Sequence, residues 1–145
     1  MNDPAANTAP IRHLWLPPLI WIAAIFSASC WSGPDIENPF WFEGLDKIIH
    51  VLIYTVLAQF LFAAFRYERR AGLYLAATLA CLCTTLYGIT DEGHQSFTPG
   101  RAVEGLDVLA DFIGGTSAFL TAWYLHTHNG VETWIRKKLV PVSKS

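Results

Sequence analysis

The sequence is short of charge: ten Lys and Arg and twelve Asp and Glu make up only 15% of 145 residues, where soluble domains carry about a quarter. Four stretches have no charged residue at all, 14–34, 48–65, 71–90 and 112–131, and they are 21, 18, 20 and 20 residues long. This excludes an ordinary soluble enzyme and a disordered tail. Cysteine is scarce too: Cys30, Cys81 and Cys83 lie in or beside apolar runs. They cannot make a disulfide-stapled secreted module, and Cys81-Leu82-Cys83 is not a metal or redox spacing, so all three read as buried structural thiols. A net charge of −2 with basic residues only in short clusters gives no footprint for nucleic acid.

What is present is apolar. Hydrophobic residues are 52% of the chain and the mean hydropathy is +0.31. A helix needs about 20 mostly apolar residues to cross the hydrocarbon layer, so each charge-free stretch predicts one crossing. The fold expected is all-α, an integral membrane four-helix bundle. The first helix is predicted within the apolar run that begins at 14 and gives way to a Gly/Pro-rich acidic loop over 32–46; the others are predicted at about 45–65, 71–89 and 105–126, as one domain over 14–126. A flexible tail over 1–13 precedes it, and a basic amphipathic tail over 127–145 follows. Ser27-Ala28-Ser29 resembles a signal-peptidase site, but the run is long for a signal sequence and three more spans follow. It reads as a retained helix that opens on Pro17-Pro18, as proline in a first turn allows.

The few charges are sorted. Arg12, Arg66, Arg69, Arg70, Arg136, Lys137, Lys138 and Lys144 fall on one side of the predicted bilayer, leaving Lys47 and Arg101 on the other. Cytoplasmic loops carry the excess of Lys and Arg, so both termini are expected in the cytoplasm of a multi-pass inner-membrane protein. The opposite, outward side collects nine of the twelve acids, among them Asp46, Asp91, Glu92, Glu104, Asp107 and Asp111. Asp46, His50 and Tyr54 follow i, i+4, i+8 spacing, which lines them up on one face of the second helix. Asp107 and Asp111 repeat the i, i+4 spacing on the fourth helix. Asp91-Glu92-Gly93-His94-Gln95 stands near the outer end of the third, and Thr98-Pro99-Gly100-Arg101 reads as a turn beyond it. Ionisable groups inside a bilayer are costly unless they face one another or a cavity, so these faces should converge on a polar pocket at the outer face.

Each piece has a plainer reading. Asp46 and Asp107 suit helix N-termini, where the dipole favours an anion. Arg101 suits an ion network that fixes helix arrangement, and His50 suits a neutral core histidine bonded to Tyr54 or Asp46. The combination of two histidines and six carboxylates on one side favours a site. Gly114, Ala118 and Ala122 form a small-xxx-small row, predicted to be a packing seam.

Asp46-Lys47-Ile48-Ile49-His50 with Tyr54, then Asp91-Glu92-Gly93-His94-Gln95-Ser96-Phe97-Thr98-Pro99-Gly100-Arg101, then Asp107 and Gly114, resembles the VanZ-like family of small membrane proteins over roughly residues 11–126. The resemblance implies a four-helix membrane protein of the cell envelope. It also implies a relation to glycopeptide resistance, since the founding member is associated with low-level resistance to teicoplanin. Where the family commonly has Asn, this chain has Asp111, an added acid that would sharpen a cation site or strain the pocket.

Two kinds of function fit. An enzyme acting on a lipid-linked or envelope substrate would use Glu92 or Asp91 as acid or base and His50 as proton shuttle. Arg101 would clamp a phosphate or carboxylate, with Gln95, Asp107, Asp46, Tyr54 and Lys47 as further binding residues. A metal variant would draw ligands from Asp46, His50, Glu92, His94 and Asp107, although the spacing is no known metal signature. The alternative is a non-catalytic protein that binds a lipid, an envelope precursor or a lipophilic antibiotic. A proton-coupled transporter fits less well, because four short helices leave little room for alternating access without oligomerisation. The bilayer is the one partner expected throughout, and the sequence names no cofactor.

Overall fold

The computed structural model describes residues 13–30, 44–97 and 104–139. Among these the chain is all-helical: α1 Leu16–Ser29, α2 Leu45–Ala63, α3 Leu73–Gln95, α4 Gly105–Thr127 and α5 Asn129–Leu139, with a π-helical turn Ala64–Glu68 continuing α2. Three helical segments are long and apolar enough to cross a membrane: Leu45–Glu68, Leu73–Gln95 and Gly105–Thr127. The N-terminal tail up to residue 12, most of the first predicted loop, and Thr98 to Arg101 lie outside the described residues.

α2, α3 and α4 pack closely because their facing positions are small. Ala58, Ala76, Ala77, Ala80, Ala118 and Ala122 are buried. The predicted seam stands, since Gly114, Ala118 and Ala122 all face inward. At Gly114 a Cβ would lie 2.8 Å from the carbonyl oxygen of Val51 and 2.9 Å from the amide nitrogen of Thr55. Only glycine permits α4 to approach the α2 backbone that closely. Side-chain bonds add to the seam: Gln59 donates to Ser117 at 2.9 Å and accepts from Thr121 at 2.8 Å. Large apolar side chains such as Leu52, Leu75, Leu86 and Leu120 point away from this interior, the inverse of a soluble protein's pattern.

α1 departs from expectation. It has 14 residues, about 21 Å at 1.5 Å per residue, short of the roughly 30 Å hydrocarbon layer. Hydrophobicity alone predicted a crossing over 14–34, but the described helix starts at its prolines and ends at Ser29. Aromatic polar tips fasten it to its neighbours. Trp21 Nε1 donates to the Ile53 carbonyl at 3.0 Å, and the Tyr87 hydroxyl donates to the Ile22 carbonyl at 2.9 Å. α3 also differs, running six residues past the predicted end at Ile89. Asp91 and Gln95, a turn apart, are hydrogen-bonded and buried with Glu92, so the polar run extends the helix instead of leaving it. Of the three cysteines, Cys81 is buried and Cys83 partly so, but Cys30 is exposed. Its position at the end of the short α1 corrects the expectation of three buried thiols.

At the basic end, the π-turn closes with Arg69 N–H bonding the Ala64 carbonyl at 3.1 Å, and Arg70 takes the left-handed conformation at φ 56°. Arg66 donates to the Ala71 carbonyl and pairs with Glu132, which also meets Arg136. Glu68 accepts from the Leu14 amide at 3.0 Å.

Candidate functional site

The opposite end gathers the starts of α2 and α4 and the end of α3. Gly44, at φ 90°, turns the chain into α2 and places Asp46 and Lys47 in its first turn. Glu104 precedes α4 and Asp107 sits in its first turn. Lys47 bridges the two helices through ion pairs to Asp46 at 2.5 Å, to Asp107 at 3.1 Å and to Glu104. The 3.1 Å approach to Asp107 Oδ1 is an ion pair without hydrogen-bond geometry.

One turn deeper, His50 Nδ1 lies 2.9 Å from Oδ1 of Asp111, whose carboxylate is fully buried. The imidazole stacks nearly parallel on Tyr54, with centroids 5.9 Å apart. The Tyr54 hydroxyl donates to Asp91 Oδ2 at 3.2 Å, and Gln95 donates to the same oxygen at 3.0 Å. Glu92, 2% exposed, accepts the Glu104 amide on Oε2 at 3.2 Å. Its Oε1, Asp91 Oδ1 and Asp111 Oδ2 are buried with no hydrogen-bond partner among the described residues. Buried carboxylate oxygens are normally paired because desolvating them is costly, so three such atoms in one place mark unused acceptor capacity.

Beside these groups is a cavity of about 230 Å³. Asp46, His50, Tyr54, Asp91 and Gln95 form its polar wall, while Ile25 and Ala28 of α1, with Ile49 and Ile53, form its apolar wall. The i, i+4, i+8 face read from the sequence is thus one wall of a real cavity. The short α1 supplies much of the other, together with Ile49 and Ile53 of α2, and nothing in the sequence spacing indicated the part of α1. Such a wall can accept donors from a ligand, take up protons or hold a cation.

The structure brings together Asp46, Lys47, His50, Tyr54, Asp91, Glu92, Gln95 and Asp107 at one end. It separates His94, which stacks on Phe26 at 4.6 Å and lies with Nε2 3.3 Å from Cys30 Sγ. Of the five-residue ligand set, His50, Glu92 and Asp107 form one group with ligand atoms within 4.8 Å of one another, while Asp46 and Asp107 form a second with Glu104, a residue outside that set. His94 belongs to neither. Arg101 lies outside the described residues, so its clamp role has no geometry to meet.

Two residues gained importance in three dimensions. Asp111, read in the sequence as an added acid that would sharpen a cation site or strain the pocket, is the partner that orients His50. Gly88 of α3 is what admits it, for a Cβ there would overlap the Asp111 carboxylate. The i, i+4 relation of Asp107 and Asp111 was the available signal for the first. Gly88 gave none, because its reason is a close approach between two helices.

Comparison with curated proteins and with solved structures finds no match. The family model described as VanZ/LLP1 matches residues 4–126, which takes in α1 and all but the last residue of α4. The aligned stretch carries every group of the site, and with it most of the sequence: the chain belongs to the VanZ/LLP1 family.

Proposed function

We propose that this protein is an integral membrane protein whose acid/His pocket faces outward and handles a lipid-linked or cell-envelope substrate, in a role related to glycopeptide resistance. In this reading α1 joins α2, α3 and α4 as the fourth member of a bundle in the inner membrane, and both termini are cytoplasmic. The distribution of Lys and Arg supports the orientation, with Arg66, Arg69, Arg70, Arg136, Lys137 and Lys138 at one end.

The observation that carries the reading is the partly apolar, partly ionic cavity. One wall is aliphatic and suits a lipid chain, while the other sets His50, Tyr54 and Asp91 where a headgroup would lie. Glu92 or Asp91 would give or take the proton, and His50, held by Asp111, would relay it. Gln95, Tyr54, Asp46, Asp107, Lys47 and Arg101 would bind the headgroup. A non-catalytic binder of a lipid, an envelope precursor or a lipophilic antibiotic would use the same residues, because recognition and transformation need similar groups.

Glu92→Gln and His50→Ala separate the two. Each variant is checked for membrane accumulation, then assayed for teicoplanin binding and for teicoplanin susceptibility of cells expressing it. Loss of the phenotype with binding and accumulation intact supports catalysis. A Glu92→Gln variant with an unchanged phenotype removes Glu92 from any catalytic role.

A further inference from the structure

The buried end of the helices holds more negative charge than the described residues balance. Asp91, Glu92, Asp107 and Asp111 are all at most 7% exposed. Buried carboxylates without a counter-charge are strongly unfavourable in a low-dielectric interior. Lys47 neutralises only the upper tier, where it touches Asp46, Glu104 and Asp107. The lower tier, made of His50, Glu92 and the shared Asp107, has only the imidazole.

We propose that His50, Glu92 and Asp107 bind a divalent transition-metal ion, Zn²⁺ or Mn²⁺, between α2, α3 and α4. The donor set is one imidazole nitrogen and two carboxylate oxygens from three helices, with ligand atoms within 4.8 Å of one another. Metal–ligand bonds of about 2.1 Å in tetrahedral geometry set ligand atoms about 3.4 Å apart. Closing the set therefore takes side-chain shifts on the order of 1 Å. Two independent features point to a ligand here. Glu92, 98% buried by its 2% exposure, keeps Oε1 without a hydrogen-bond partner among the described residues. His50 is arranged as metal-binding histidines are, with Nδ1 on the buried carboxylate of Asp111, which fixes the ring and leaves Nε2 to ligate. The same bond explains why an acid at position 111 serves the site.

Imidazole suits zinc, and mixed carboxylate and imidazole sets suit zinc and manganese. Three protein ligands also leave at least one position open, as in metal sites that receive a water or a substrate oxygen, and with His50 and Glu92 engaged as ligands the proton-transfer role of the proposed function passes to Asp91. This rests on the proposed headgroup reading in one respect: an anionic phosphate would be repelled by bare carboxylates and attracted by a cation seated among them.

The test uses the full chain in detergent, stripped with EDTA and titrated with Zn²⁺ and with Mn²⁺ alone. Calorimetry and metal analysis should give one ion per chain, with affinity at least tenfold lower in Glu92→Gln, Asp107→Asn and His50→Ala. The Cys30→Ser/His94→Ala double variant should bind as the wild type does. Cobalt substitution of the wild-type protein covers variants that fail to accumulate: visible d–d bands without a thiolate charge-transfer band are expected. Absence of stoichiometric binding, or binding lost in the Cys30→Ser/His94→Ala variant and kept in Glu92→Gln, overturns the site. Because no substrate is present, a chain that binds the ion but whose phenotype ignores Glu92→Gln loses only the headgroup reading. One that binds no ion yet depends on Glu92 loses only the metal.

Discussion

The two ends of the helices treat charge in opposite ways. At the basic end cations are in excess, and the two carboxylates there among the described residues are used as fasteners. Glu132 sits between Arg66 and Arg136, Arg66 also closes on the Ala71 carbonyl, and Glu68 holds the Leu14 amide. At the acidic end, carboxylates outnumber cations among the described residues, and four of their oxygens are buried without hydrogen bonds, one of them, Asp107 Oδ1, facing Lys47. At the basic end the buried atoms without a partner include Arg66 Nε and the Tyr67 hydroxyl, but no carboxylate oxygen among the described residues, and a buried carboxylate oxygen left unpaired is the costlier case. On the proposed reading the acidic end is the part kept for a ligand, while the basic end holds α5 and the π-turn in place.

The largest expected effect comes from removing the close approach on which the acidic end is built. Gly114→Val would drive a side chain into the α2 backbone at Val51 and Thr55, an overpacking cost of several kcal/mol. The variant should fail to accumulate in membranes while Ala122→Gly, on the same row, accumulates. Survival of Gly114→Val at wild-type level would show that α2 and α4 do not meet as described.

Gly88→Ala should be next, at about 1–3 kcal/mol, because its methyl displaces the buried Asp111 carboxylate from His50. The thermal midpoint in detergent should fall, and a second substitution, Asp111→Asn, should add less than it does alone, since both act through one contact. Full additivity would argue that Gly88 acts elsewhere.

The basic end should respond to acid. Burial works to raise the Glu132 carboxyl, but the Arg66 and Arg136 guanidiniums more than offset it and hold it below its ordinary value of 4.5. A carboxyl lowered on folding stabilises the fold above its unfolded-state value, and that contribution is lost as pH falls through the lower folded one. Proteolytic protection of α5 should therefore be steady from neutral pH to about 5 and decline below about 4. In Glu132→Gln that acid step should disappear. The smallest effect is expected at Arg70, whose left-handed backbone costs a non-glycine residue about 1 kcal/mol. Arg70→Gly should raise the thermal midpoint slightly, and a clear drop would mean that the arginine side chain matters more than its conformation.

Much of this was legible from the residues. The three long helices, the small-residue seam and the Asp46, His50, Tyr54 face follow from periodicity, because helical spacing fixes which side chains share a side. The end of α3 was misplaced, since Asp91-Glu92-Gly93-His94-Gln95 looks like a polar exit until its partners on α2 are known. α1 opens at Pro17-Pro18 as read, but the charge-free stretch overstated its span: hydrophobicity measures how much chain prefers lipid, while the described helix stops at Ser29. The sequence groups His94 with His50 in the metal set, and its place beside Phe26 and Cys30 sets it apart.

By itself the sequence determined that the chain is helical and apolar enough for a membrane, that its charges are sorted to two ends, and which family it resembles. Those properties are local or statistical, carried by composition and by spacing along one helix. The tertiary structure alone decided which acids meet which cations. Lys47 is committed to three carboxylates, His50 to Asp111, and Glu92 stands beside His50 and Asp107 with acceptor capacity left over. The pairings of Lys47 with Glu104 and Asp107, and of His50 with Asp111, join residues about 60 positions apart across helices, and they depend on how closely Gly88 and Gly114 let those helices approach.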